Sequence, residues 1–188
     1  MIVAYLRERF PLSFFAPLAM ILALCAVGGS PDWLVLGVTA ISALCLLAEF
    51  RIWDDVADRH ADSITHPHRV LVTATGRSSV LVLGIALLSV NVVIAAQRDA
   101  PLLPLVGLAI LHAALGCHYL FRDGRTVLGD QLLLSKYPAF VLILAGERLL
   151  STPVSVSLSA AAVYAAASVY EAWHDPVSPL AQLLGGRS

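Results

Sequence analysis

The chain has 188 residues, of which 59% are hydrophobic and only 13% are charged, and its mean hydropathy is +0.82. This composition excludes an ordinary soluble domain and indicates an integral membrane protein. The formal net charge of −1 gives no electrostatic reason to expect nucleic acid as a partner.

Six segments are long and apolar enough to cross a bilayer, which takes about 20 mainly apolar residues per helix. In chain order they cover about residues 12–29, 33–50, 79–97, 102–121, 127–147 and 153–172. Because backbone polar groups in lipid must be satisfied internally, the predicted fold class is all-α, a polytopic transmembrane helical bundle. We expect one integral membrane domain over residues 1–188.

The arginines predict the orientation of these spans. Nine of them fall on one side of the arrangement, and only Arg98 and Arg148 fall on the other. Positively charged loops are retained in the cytoplasm. Both termini, and the loops after the second, fourth and sixth spans, are therefore expected to be cytoplasmic in a multi-pass protein of a cell membrane.

An acidic segment follows the second span, with Asp54, Asp55, Asp58 and Asp62 inside nine residues. In one continuous helix, at about 100° per residue, the last three would share a stripe. Like charges at such spacing repel, so a positive partner is expected. Mg²⁺ suits the position because it binds through a few carboxylates while keeping waters and substrate phosphates. The segment predicts metal-bridged phosphate chemistry at the cytoplasmic membrane surface.

A second acidic pair is predicted on the same side. Glu171 and Asp175 share a face at the end of the sixth span, while Arg122 and Arg125 lie in the loop after the fourth. Two acidic motifs with arginines between them could hold two metal ions and a diphosphate.

Two ionisable residues, Asp130 and Lys136, lie inside the fifth span. Such groups are costly in lipid and are usually functional or paired. Lys136 could face a diphosphate or a substrate carboxylate, and Asp130 could pair with Arg122 or Arg125. Asn91, in the third span, and His112, in the fourth, are expected to make interhelical hydrogen bonds.

The pattern Asp54-Asp55-x-x-Asp58-x-x-x-Asp62 resembles the first motif, N-D-x-x-D-x-x-x-D, of the UbiA-type superfamily of intramembrane prenyltransferases. His68-Arg69-Val70-Leu71 stands in for the family's Asn-Arg-Pro-Leu segment, and Gly76 keeps the place of its glycine. Glu171-x-x-x-Asp175 lies where the family has its second acidic motif. The resemblance covers about residues 10–175, although members generally have nine helices and this chain has six predicted spans.

The resemblance implies Mg²⁺-dependent transfer of a prenyl group from its diphosphate to a lipophilic or aromatic acceptor. The resemblance implies Asp55, Asp58 and Asp62 as ligands of the Mg²⁺-diphosphate and Arg69 as a residue that helps neutralise it. From their place on the same predicted side, Asp54, Glu171 and Asp175 are also expected to be metal ligands, and Arg51 and Arg122 are expected to bind the diphosphate. Asp58, Asp62 and Lys136 are expected to carry the catalytic step.

Two alternatives stay open. The chain could be a non-catalytic membrane subunit or binding protein that kept the fold, which the smaller number of helices favours. It could also be a small-molecule transporter, which Asp130 and Lys136 suggest. Because a six-helix chain would expose faces that further helices normally cover, the alanine-rich sixth span is expected to pack against a second copy or a partner membrane protein.

Overall fold

The computed structural model describes residues 1–29, 31–73, 77–122, 124–176 and 178–183. Helix accounts for 84% of the structure, and the described part of the chain contains no strand. The prediction of an all-α fold is confirmed.

Twelve helices follow one another in the described ranges. They are α1 Ile2–Arg9, α2 Leu12–Val27, α3 Trp33–Ala57, α4 Arg59–Thr65, α5 Val70–Thr73, α6 Arg77–Ala96, α7 Leu102–Phe121, α8 Val127–Leu134, α9 Lys136–Ala145, α10 Arg148–Ser151, α11 Pro153–His174 and α12 Pro179–Leu183.

Five stretches of helix are long and apolar enough to cross a membrane in the described part of the chain. They are Trp33–Ala57, Ser78–Ala96, Leu102–Phe121, Val127–Ala145 and Pro153–His174, the fourth being α8 and α9 together. A sixth is present if α1 and α2, which bend by 68° at their junction, count as one broken span. The chain is thus a multi-pass helical membrane protein by length and composition, and its orientation stays a prediction.

Local sequence explains where several helices begin. The Asp32 side chain accepts a hydrogen bond from the backbone N–H of Leu34 and caps α3. Thr126 caps α8 through Gly129 in the same way, and Pro153 occupies the first turn of α11. These are the residue types that helix N-termini favour, because they satisfy or lack the otherwise unpaired N–H groups.

The helices form two compact units. Unit 1 comprises Met1–Ala23 and Asp32–Ile94, and unit 2 comprises Leu24–Pro31 and Ala95–Ser188. The prediction of a single membrane domain stays a prediction.

The core of unit 1 joins α1 to the ends of α3, α5 and α6. Its buried centre consists of one residue from each of these helices, Tyr5, Ile52, Leu71 and Val80. Partly buried apolar side chains surround this centre, namely Leu6, Val56, Val70, Leu83 and Leu87. The short helix α1 is therefore packed against the last turns of α3.

Unit 2 is built around α9, which packs against α7 and α11. The small helix α12 packs against α8 and α11. On α11, Ala160 is buried while Ala161 and Ala165 are exposed. The predicted contact of this helix with a second copy or a partner protein stays a prediction.

Candidate functional site

The aspartate-rich segment is divided between two helices. α3 ends at Ala57, Asp58 lies at the junction, and α4 begins at Arg59. Asp58 keeps helical dihedrals, with φ −82° and ψ −5°, and its N–H donates to the carbonyl of Asp54 at 2.8 Å. The chain therefore coils through the segment, but not as the single uninterrupted helix on which the predicted acidic stripe was based.

Asp55, in the last turn of α3, is 3% exposed and has both carboxylate oxygens occupied. Arg9 binds it in a fork, with Nη2 donating to Oδ1 at 2.5 Å and Nε donating to Oδ2 at 3.0 Å. The Tyr5 hydroxyl donates to Oδ2 at 2.8 Å. Arg51, one helical turn earlier, brings its Nη2 within 3.4 Å of Oδ1. Two arginines thus surround one buried acid, and charge-assisted bidentate bonds of this kind are among the strongest in proteins.

Asp62, on α4, is buried and has an arginine of its own. Arg69 Nη1 donates to Asp62 Oδ1, and His66 Nδ1 lies 3.9 Å from the same oxygen. α4 ends at Thr65, and His66 takes φ −138° before Pro67, outside the helical region. The chain then turns back, so that Arg69 lies beside the acid that precedes it by seven residues.

The remaining acids of the segment, Asp54 and Asp58, are partly exposed. Gly76, which belongs to the resemblance, lies outside the described residues. The structure thus pairs two of the four metal ligands predicted in this segment with arginines. Two of the three predicted diphosphate-binding arginines, Arg51 and Arg69, lie against those acids.

In unit 2 the second acidic motif converges on Arg125. Its Nη1 donates to Asp175 Oδ2 at 2.7 Å, and its Nη2 lies 3.3 Å from Glu171 Oε1. Asp130, almost fully buried, accepts longer bonds of 3.4 Å from Nε and Nη2. Burial disfavours the guanidinium charge, but the hydrogen bond to Asp175 and the charge of Asp130 outweigh it and raise the pKa of Arg125. The predicted pairing of Asp130 with Arg125 is confirmed.

The other two candidates in unit 2 lie beside aromatic rings. Arg122 Cζ is 5.1 Å from the Tyr119 ring centroid. Lys136 is 9% exposed at the start of α9, and its Nζ is 5.7 Å from the Tyr137 ring centroid. Both distances fall in the range of cation–π contacts. The catalytic role of Lys136 and the diphosphate-binding role of Arg122 stay predictions.

Several polar residues at these sites were not singled out from the sequence. Tyr5 and Arg9 reach Asp55 from a helix ahead of the first predicted span. Glu49, in the middle of α3, is 4% exposed and accepts a bond of 2.6 Å from Asn91 Nδ2 of α6. This bond confirms the interhelical hydrogen bond predicted for Asn91. His112 Nδ1 lies 2.8 Å from the Leu108 carbonyl of its own helix α7, so the interhelical bond predicted for His112 stays a prediction. The sequence does carry one signal for Glu49, because an ionisable residue within an apolar stretch is usually paired or functional.

A polar contact in unit 2 was also not predicted from the sequence. The Tyr164 hydroxyl of α11 donates to Gln131 Oε1 of α8 at 2.5 Å, and Ser168 Oγ lies 3.3 Å from the same oxygen. Tyr164 and Ser168 are four residues apart on one helix face, which is the only sequence signal for this pairing.

The carboxylates of unit 1 have the donor chemistry that Mg²⁺ requires. Guanidinium cations lie against Asp55 and Asp62, so each carboxylate is already paired with a positively charged side chain. No group of three His, Cys, Asp or Glu side chains in the described ranges is placed to hold a metal ion. A bound Mg²⁺ would therefore take one or two carboxylates here and complete its shell with waters and phosphate oxygens, as it commonly does.

The chain matches no protein-family model, no curated protein sequence and no solved structure.

Proposed function

We propose that the chain binds a prenyl diphosphate with Mg²⁺ at the aspartate-rich segment of α3 and α4 and transfers the prenyl group to a lipophilic or aromatic acceptor. The observation that carries this proposal is the concentration of opposite charges at the end of an apolar helix. Asp55 and Asp62 are buried there against arginine guanidiniums. The same groups can pair with a metal diphosphate, because carboxylates bind Mg²⁺ and guanidiniums form forks with phosphate oxygens.

The proposed division of labour follows from these contacts. Asp55, Asp58 and Asp62 are the candidates for the one or two carboxylates that would hold Mg²⁺, while Arg51 and Arg69 would turn to the phosphate oxygens. Mg²⁺, when bound, supplies positive charge that stabilises the leaving diphosphate.

The transfer step breaks the bond between the allylic carbon and the bridging oxygen, and its electron pair goes to the diphosphate. Arg51 and Arg69 would stabilise the negative charge that develops on that oxygen. The acceptor forms the new bond to carbon and loses a proton. The apolar turns of α3 before Arg51 would give the prenyl chain a hydrophobic environment. The roles of Arg122, Lys136, Glu171 and Asp175 in this function rest on the sequence pattern and on the resemblance.

A second candidate is a non-catalytic membrane protein of the same fold. It is favoured by the saturation of Asp55, whose two oxygens already accept from Tyr5 and Arg9 and face Arg51. An acid in that state can serve purely to anchor α1.

Binding of an allylic diphosphate to the purified protein, with and without Mg²⁺, tests the proposal. The wild type should bind only when Mg²⁺ is present, and Asp58→Asn should weaken that binding about tenfold or more by removing one metal ligand. Asp32→Asn is the matched control, since it removes one charge at the other end of α3 and keeps an acceptor for the cap. A wild type that binds no diphosphate in Mg²⁺ favours the non-catalytic protein.

A further inference from the structure

Arg9 occupies the acid that the proposed site needs. Its guanidinium binds both oxygens of Asp55, which is one of the proposed metal ligands. We infer that Arg9 is a built-in competitor of the metal: it neutralises Asp55 while the site is empty and gives way when a divalent cation binds. This inference rests on the proposed function, because it describes how the same site is kept closed.

The three partners of Asp55 differ in how they would interfere with a cation. Tyr5 is neutral, and its hydroxyl can remain on Oδ2 while the carboxylate binds a metal. Arg51 is 3.4 Å away and leaves room for adjustment. Arg9 alone combines a full positive charge with contacts of 2.5 and 3.0 Å to both oxygens, so a cation that binds either oxygen meets that charge at close range.

Arg9 can leave without unfolding its helix. It is the last residue of α1, directly before the bend into α2, and its side chain is 17% exposed. The rest of α1 is anchored separately: Tyr5 is fully buried in the core of unit 1, and Glu8 accepts a hydrogen bond from the Val70 N–H at 3.0 Å. Rotation of one side chain therefore opens the acid, whereas release of the helix would expose Tyr5 to water.

The ion pair between Arg9 and Asp55 lowers the affinity of the empty site for a divalent cation. A buried carboxylate without a partner is costly, and Arg9 supplies the positive charge in the absence of ligand. A divalent cation must overcome this internal ion pair before it reaches Asp55. Removing the competitor should therefore tighten cation binding, which is the opposite of what loss of a purely structural contact would do.

Titration with Mn²⁺ followed by electron paramagnetic resonance, in the absence of diphosphate, tests the inference on the full-length protein. Arg9→Gln should bind one Mn²⁺ about tenfold or more tightly than the wild type, since a charge-assisted contact no longer opposes it. Arg7→Gln is the matched control: it removes the same charge from an exposed position of the same helix and should change the affinity by less than about twofold. Arg9→Lys, which keeps the charge without the fork, should fall between the two.

An Arg9→Gln variant that binds Mn²⁺ no more tightly than Arg7→Gln overturns the inference. If Arg9→Gln does not fold, an Arg9→Lys affinity equal to or below that of the wild type overturns it instead. A parallel titration with inorganic diphosphate and Mg²⁺ separates this result from the proposed function. Tighter Mn²⁺ binding by Arg9→Gln without diphosphate binding by any variant upholds the competition and rejects the transferase. If the wild type binds diphosphate while Arg9→Gln and Arg7→Gln have the same Mn²⁺ affinity, the competition is rejected and the proposed function is supported.

Discussion

Each buried carboxylate in the described residues has a polar side chain from another part of the chain beside it. Asp55 is bound by Arg9, Asp62 by Arg69, and Asp130 by Arg125. Glu49 accepts from the amide of Asn91. An unpaired charge is expensive in a low-dielectric interior, and these contacts supply hydrogen bonds that water would otherwise provide. The residues that matter most to stability are consequently the donors, several of which are inconspicuous in the sequence.

Tyr5→Phe tests the neutral donor of this set. The ring keeps its place in the core of unit 1, and only the hydroxyl bond to Asp55 is lost. We expect a loss of about 1–2 kcal/mol of stability in thermal or denaturant unfolding in detergent, because a buried acceptor loses a partner. Tyr137→Phe, at a half-buried tyrosine of α9, is the control and should change stability by less. Equal effects of the two changes would show that the Asp55 bond contributes nothing measurable.

Asn91→Leu tests the pair within the apolar helices. It removes the amide that donates to Glu49 at 2.6 Å and should lower stability by about 0.5–2 kcal/mol, the range of interhelical hydrogen bonds in membrane proteins. In a Glu49→Gln background, the same change should cost less, because no buried charge loses a partner. Unfolding measurements on the four proteins of this double-mutant cycle give the coupling directly. Strict additivity would contradict the prediction.

Individual helices were predictable where their signals are local. Apolar length indicated the spans, and capping residues such as Asp32 and Thr126 mark helix starts. The break at Asp58 was not predictable, because the acids on either side are held by Arg9 and Arg69, and these contacts exist only in the folded chain. Nor was the docking of α1, whose key bonds to Asp55 join residues 46 and 50 positions apart. Sequence spacing therefore identified the acids but not their partners.

The end of α2 depends on a distant arginine. Arg148 Nη1 donates to the carbonyl of Ala26 at 2.7 Å, and Nη2 donates to Ser155 Oγ at 3.2 Å. Its guanidinium lies where a side chain on Gly28 would be. A cation at a helix C-terminus satisfies free carbonyls and the helix dipole. One of the two arginines that fall on the other side of the predicted topology thus acts as a helix cap.

Gly28→Ala and Gly29→Ala form a matched test of this cap. Both glycines have positive φ, of +62° and +61°, so each substitution should cost about 1–2 kcal/mol of backbone strain. Only Gly28→Ala must also displace Arg148, since no atom of the described residues lies within 4 Å of a Cβ on Gly29. We expect Gly28→Ala to be less stable by a further ~1 kcal/mol in unfolding measurements. In an Arg148→Ala background the two substitutions should become equal, and a persistent difference would rule out displacement of Arg148 as the cause.

Arg125 holds three acids that come from different helices and loops of unit 2. Arg125→Gln would leave Asp130, Glu171 and Asp175 without their shared cation. We expect a loss of about 1–3 kcal/mol at pH 7, because Asp130 is buried and its charge would lose a partner. The loss should be smaller in an Asp130→Asn background, since no buried charge then loses its partner. An equal loss in both backgrounds would mean that packing, and not charge, accounts for the effect.

For the whole molecule, the main question is whether α2 crosses the membrane. α2 has 16 residues and is about 24 Å long, somewhat shorter than a hydrocarbon core of about 30 Å. Counting by length therefore gives five spans, or six with the bent α1 and α2 pair. Contacts within unit 1 favour six. α1 is bonded to Asp55 and Val70, at and beyond the last turns of α3, whereas α2 leads to Asp32 at the first turn of α3.

Because α1 lies at one end of α3 and the chain enters α3 at the other, α2 has to return across the same distance. We therefore predict that residues 3 and 63 lie on the same side of the membrane. Single cysteines at Val3 and Ser63, both exposed, can be introduced after replacement of Cys25, Cys45 and Cys117. A membrane-impermeant maleimide should label the two positions from the same side, and a cysteine at exposed Trp33, in the first turn of α3, should be labelled from the opposite side. Labelling of Val3 and Ser63 from opposite sides would mean that α2 does not cross, and that α1 and Asp55 cannot meet in the membrane as they do in unit 1.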